Sequence, residues 1–333
     1  MMEYEMFKEL VADHFLDYMP QEFQGYSVKI SPTNKVNQKL DGVELIPPGD
    51  KAMKVFPVVY ANHMYEDYLN GQGFEEVMEQ YAKGMQDIHR NLPDAVPSSV
   101  FSNAEEKIIM ELINTEQNRE LLESIPHREI VDLSIVYRIV TGMGDGMIYS
   151  ALINNAHAEQ IGMGEERMYE VASENTWKML PPVAKRMSDV MREIFVVDGM
   201  AEEQAGQAAE TMVPTDNMYV VTNDRNTNGA VSMLYEEKLH EIAEGFGSDL
   251  YILPSSVHEV IAVPTSMWEP EELAEIVADI NMGMVSLGER LSNQVYHYDK
   301  DLRELTLATD TPNKRLDTLV AEPPMSYGKG QSR

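Results

Sequence analysis

Apolar positions along this chain switch between a helical and a strand-like period, and the switches divide it into elements. Within residues 2–19, Phe7, Leu10, Val11, His14 and Tyr18 fall on one helical stripe, which Pro20 closes. Strand candidates follow at 26–30, 40–46 and 55–61, separated by Pro, Asn, Gly and Asp. A helix returns over 73–89 with Phe74, Val77, Met78, Tyr81, Met85 and Ile88 on its apolar face, so the order is αβββα. Residues 92–102, LPDAVPSSVFS, are rich in proline and serine and have no period, which marks a domain boundary.

Beyond that boundary the pattern predicts a strand at 107–113, a short helix at 116–124 and one half-buried strand at 130–140, its core face carrying Val131, Leu133, Ile135, Tyr137 and Ile139. The glycine-rich residues 142–146 lack the Lys-Ser/Thr of a phosphate loop and read as a turn. Helices are expected over 146–161, 165–180 and 183–195, and an exposed connection over 198–216. The stretch 217–264 is the most regular. Strands at 218–222 and 230–235 flank Asn226-Thr227-Asn228-Gly229 as a hairpin, and Leu239, Ile242, Ala243 and Phe246 mark a helix. Strands at 250–253 and 257–263 complete a ββαββ unit, and a long helix starts near Pro270.

The fold class expected is α+β, with short, mostly antiparallel sheets covered by amphipathic helices in two sub-domains. These are an αβββα sub-domain over 1–92 and a larger one over 103–320, which contains a ββαββα unit at 217–290; residues 321–333 read as a disordered tail.

Charge narrows the function classes. There are 56 acidic against 26 basic residues, a formal charge of −30, so the clustered Lys and Arg of a phosphate-binding surface are missing and direct nucleic-acid binding is not expected. The absence of cysteine fits a reducing compartment. No window reads as a membrane span, and the start, MMEYEMFKEL, is acidic where a secretory leader is basic, so a cytoplasmic location is expected. The 24 methionines suit irregular cores and adaptable binding surfaces.

Candidate chemistry centres on Ser255, Ser256, His258 and Glu259. His258 and Glu259 are expected inside an otherwise buried strand, on opposite faces. The second histidine of a zincin is missing and the segment is not helical, so no metal site is expected; no cofactor motif is present either. A hydrolase would take Ser255 or Ser256 as nucleophile and His258 as base, but no G-x-S-x-G elbow surrounds them. The structural alternative has the serines shaping a turn while His258 and Glu259 hydrogen-bond at the sheet end. His63, His127, Asp132, Glu174 and Asn175 could join His258 only through the fold.

Several stretches together, Leu40-Asp41-Gly42-Val43, Asn118 to Pro126 (NRELLESIP), Asp132 to Arg138 (DLSIVYR), Glu174-Asn175-Thr176, Tyr219 to Asn223 and above all Tyr251 to Pro264 (YILPSSVHEVIAVP), resemble the domain-of-unknown-function family number five-six-eight-eight. The resemblance covers nearly the whole chain and implies an origin in anaerobic Gram-positive gut bacteria. It carries over no activity. The function expected is a non-enzymatic protein-binding or adaptor module whose partner is another protein. The alternatives are a hydrolase-like enzyme centred on His258 and Glu259, and an acidic inhibitor that imitates nucleic acid.

Overall fold

The computed structural model describes residues 2–48, 57–91, 101–144, 147–213, 217–254 and 256–310. The chain forms two compact units, Met1–Asn103 and Ala104–Arg333.

In the first unit, helix α1 (Tyr4–His14) leads through two short 3-10 turns into the strands β1 (Ser27–Lys35), β2 (Gln38–Ile46) and β3 (Val59–Tyr60). Helices α2 (Ala61–Leu69) and α3 (Phe74–Asn91) follow. The order is therefore αβββαα: the stretch expected to run as a strand to residue 61 turns helical at Ala61, and α2 holds His63. β1 extends through Pro32, which its place on the sheet edge permits, since Pro has no ladder donor to offer. Asn37, at φ 59°, turns the chain back. Phe7 and Val11 of α1, Val43 and Leu45 of β2, Met64 of α2 and Val77, Met78 and Met85 of α3 form one buried cluster. Each such side chain contributes roughly 1.5–3 kcal/mol. Asp41 ties the layers together, accepting from Tyr4 at 2.8 Å and pairing with Lys8 at 3.0 Å, while its backbone N–H reaches Asn62 of α2 at 2.7 Å.

The second unit begins with β4 (Ile108–Asn114), α4 (Arg119–Leu122), β5 (His127–Ile130), β6 (Leu133–Gly144), β7 (Met147–Leu152), α5 (Asn155–Ile161) and α6 (Glu165–Met179). The run 130–140 is thus two strands joined by a tight turn at Val131 and Asp132, and residues 133–140 are buried on both faces apart from Arg138. The helix expected from residue 146 begins only at Asn155, because 147–152 pair with β6. Asp145 and Gly146 of the glycine-rich stretch lie outside the described residues; Gly144 and Met147 on either side are paired.

The chain continues with β8 (Pro182–Arg186), α7 (Met187–Val197), α8 (Glu202–Met212), β9 (Tyr219–Asn223), a 3-10 turn (Gly229–Leu234), α9 (Glu236–Phe246), β10 (Leu250–Leu253), β11 (Val260–Pro264), α10 (Pro270–Gly283), β12 (Tyr296–Asp299) and β13 (Glu304–Leu307). Three expectations are corrected. Residues 182–186 are a strand because they pair with β9, 202–212 are helix rather than a connection, and 230–234 are a buried 3-10 turn rather than the second arm of a hairpin. The partners of β9 are β8 and β11.

The described strands form three antiparallel sheets: β1-β2-β3, β4-β6-β5 with β7 also on β6, and β13-β12-β10-β11-β9-β8. The fold is α+β. β4 is an edge strand, yet all seven of its residues are buried. Its edge is covered by α6: Thr176 Oγ1 accepts the Met110 N–H at 2.9 Å, and Asn175 Nδ2 donates to the carbonyls of Ile108 at 3.0 Å and Glu105 at 2.7 Å.

Candidate functional site

β11 begins at Val260, so His258 and Glu259 lie in the loop before the strand and not within it. Ser255 lies outside the described residues. Ser256 bridges to Arg290, and its hydroxyl accepts the backbone N–H of His258 at 3.0 Å, as in a serine turn. Val257 N–H reaches the Glu289 carbonyl at 2.8 Å. The half-buried His258 ring accepts the Asn228 N–H at Nδ1, 3.2 Å, so the neutral ring carries its proton on Nε2, which faces Glu289 Oε1 at 3.3 Å. Both nitrogens are engaged. Glu259 is exposed.

What His258 holds is the loop from Asn223 to Gly229. Asn223 Oδ1 accepts the N–H of Arg225 at 3.0 Å, and its Nδ2 donates to the Thr227 carbonyl at 2.7 Å. Asn226 and Asn228 take positive φ, 51° and 50°, as asparagine tolerates. Gly229 then passes so close to the strand that a Cβ would sit 2.1 Å from Thr222 Oγ1 and 2.4 Å from the His258 carbonyl. The expected tight turn is present, but it feeds the buried 3-10 turn.

Beside Pro254, Ser256 and Val257 runs a buried polar stretch, Arg290 to Gln294, that sequence spacing gave no means of finding. Its partners are up to 177 residues away. Asn114 donates to the Leu291 carbonyl at 3.0 Å, Asn281 to the Ser292 carbonyl at 3.0 Å and Asn293 Oδ1 at 2.7 Å, and Ser292 Oγ to Asp132 at 2.7 Å. Tyr296 also donates to Asp132. Burial pushes the Tyr296 phenol well above its ordinary range, and the neighbouring carboxylate adds to this. Burial also lowers the Arg290 guanidinium. Asp132 and the loop before β12 thereby join the two sheets of the unit. His63 belongs to the other unit, where its ring lies 5.6 Å from that of Tyr60. His127 Nδ1 faces the Ile125 carbonyl at 3.0 Å, Glu174 pairs with Lys178 at 3.2 Å, and Asn175 covers β4. Among the described residues no group of three or more His, Asp or Glu could hold a metal ion.

A second surface lies in the excursion between the paired strands β8 and β9. α7 and α8 form an antiparallel hairpin turned at Gly199, φ 93°. α7 has no buried residue. Ile194, Val196, Val197, Met200 and Met212 are exposed, Val197 at 86% and Met212 at 63%. Of the hairpin's carboxylates, Asp189 pairs with Arg192 at 3.6 Å and Glu193 with Lys185 at 2.7 Å, and Asp198, Glu202, Glu203 and Glu210 add further negative charge. Among the described residues no helix is long and apolar enough to cross a membrane.

Architecture and surfaces together define an acidic α+β protein with antiparallel sheets, a histidine-clamped loop and an uncovered helical hairpin. The chain belongs to the Family of unknown function (DUF5688), whose model matches residues 4–300. No curated protein and no solved structure is detectably similar to it.

Proposed function

We propose that the protein is a non-enzymatic protein-binding module, and that the α7–α8 hairpin receives a basic, amphipathic segment of its partner. The observation that carries this reading is the apolar face of α7, left uncovered and rimmed by carboxylates. Methionine and aliphatic side chains adapt to a partner's apolar stripe, and the acidic rim complements its Lys and Arg. A second copy of this chain fits less well, because each copy carries a formal charge of −30. A cytosolic setting belongs to the same reading, supported by the absence of cysteine.

The test uses a fluorescein-labelled amphipathic peptide of leucine and lysine, with a leucine and glutamate peptide of the same pattern as control. Saturable binding of the basic peptide alone is expected, weakening as salt is raised. The exposed pair Ile194→Asp and Val197→Asp should reduce affinity by about tenfold or more. Equal binding of both peptides, or no loss in the double variant, would overturn the reading.

A further inference from the structure

α6 already holds one guanidinium. Arg128 sits over the Tyr169 ring, 4.1 Å from its centroid, and donates through Nε and Nη2 to the two carboxylate oxygens of Glu165, each at 3.0 Å. An aromatic face and a carboxylate are what a planar, weakly hydrated cation requires: the ring takes its face and the carboxylate its fork of donors. Two turns further along the helix an aromatic face and carboxylates recur.

There Trp177, 39% exposed, meets Tyr235 edge to face at 4.8 Å. The Tyr235 hydroxyl donates to the Ser173 carbonyl at 3.1 Å, which fixes the ring as a wall. Trp177 and Tyr235 line an open groove of about 320 Å³ together with Ser173, Glu174, Lys178 and Glu237. Lys178 and Glu174 pair at 3.2 Å and compensate each other. Glu237 makes no ion pair among the described residues and leaves the groove with a net negative lip.

We propose that this groove binds a guanidinium group, stacked on Trp177 and paired with Glu237. Its volume lies at the small end of ligand sites and accommodates one side-chain-sized group. An anion would meet Glu237 and the field of a strongly acidic chain, whereas a cation is drawn in by both. A lysine ammonium, compact and strongly hydrated, can neither stack nor fork in this way. The site is separate from the α7–α8 surface and stands or falls independently of it.

The test exploits the fact that the chain has two tryptophans. In the full chain carrying Trp268→Phe, indole fluorescence reports Trp177 alone. Titration with Nα-acetyl-arginine amide at low salt should give a saturable change in the millimolar range, and the neutral isostere Nα-acetyl-citrulline amide should give none. Nα-acetyl-lysine amide should bind at least about threefold more weakly, and Glu237→Gln, an exposed substitution, should weaken the arginine probe by about tenfold. Calorimetry on the unaltered chain gives the same comparison if Trp268→Phe impairs folding. Free arginine in a further arm separates the sources: tighter binding than the amide points to the free amino acid, weaker binding to an arginine side chain within a peptide. Citrulline and arginine amides binding alike, or an unchanged affinity in Glu237→Gln, would overturn the proposal.

Discussion

Val131 holds a positive φ of 61° in the two-residue turn between β5 and β6, a region that a β-branched side chain reaches only at a cost. Its side chain is 46% exposed, so little packing offsets that cost. Primed hairpin turns place glycine where φ is positive. Val131→Gly is therefore expected to stabilise the protein by about 1 kcal/mol, seen as a higher urea midpoint with an unchanged slope. A lower midpoint would mean that the valine's contacts outweigh its strain. His258 makes the opposite case, a residue whose removal leaves a donor stranded. His258→Ala deprives the Asn228 N–H of its acceptor and should cost about 1–2 kcal/mol. A variant as stable as its parent would show that the ring does not clamp the 223–229 loop.

At the scale of elements, the edge of β4 depends on two side chains of α6. Thr176→Val keeps shape and volume but takes the acceptor from the buried Met110 N–H, for an expected loss of about 2 kcal/mol. Hydrogen exchange at Met110 should accelerate in parallel, and unchanged exchange would indicate that another group protects the edge. In sequence, Glu174 and Asn175 read as residues that could join His258 only through the fold, and Glu174-Asn175-Thr176 as part of the family resemblance. Two of these three side chains turn out to satisfy the backbone of a strand some 65 residues earlier, a relation with no local trace. Helices with one large apolar face, α3, α6 and α10, were legible because burial on one side leaves a 3.6-residue period. α8 was not, because the residues it buries are Ala205 and Ala209, too small to stand out from an Ala-rich background. The run Ala-Val-Ser-Met-Leu at 230–234 is buried throughout except at Leu234, and a short apolar run without alternation does not distinguish a strand from a tight helical turn. His258 stands out in sequence as an ionisable residue in an apolar run. Its partners Asn228 and Glu289, 30 and 31 residues away, do not.

At the scale of the whole molecule two electrostatic effects can be separated. In the second unit, burial raises the Glu165 carboxyl, but hydrogen bonds from Arg128 and Tyr137 and the charge of Arg128 outweigh it and hold the group below its ordinary range. Asp41 is held low in the first unit in the same way, burial being outweighed by Tyr4 and Lys8. A carboxylate with a lower pKa folded than unfolded contributes stability above the unfolded value and loses it as pH falls through the folded one. Stability should therefore decline below about pH 4, and Glu165→Gln should flatten that decline for the second unit. The excess of acidic residues predicts a different dependence, because it acts at neutral pH and at long range. The surface ion pairs are mostly exposed and worth about 0–1 kcal/mol each, whereas the formal charge of −30 repels itself throughout the folded chain. Salt weakens both, with a screening length of about 10 Å at 0.1 M, but repulsion accumulates over many pairs while attraction is confined to a few. The melting temperature at pH 7 is therefore expected to rise between low salt and about 0.3 M sodium chloride. A fall over that range would show that the networks around Glu165 and Asp41 and the exposed pairs outweigh the net charge, and that the acidity is locally compensated.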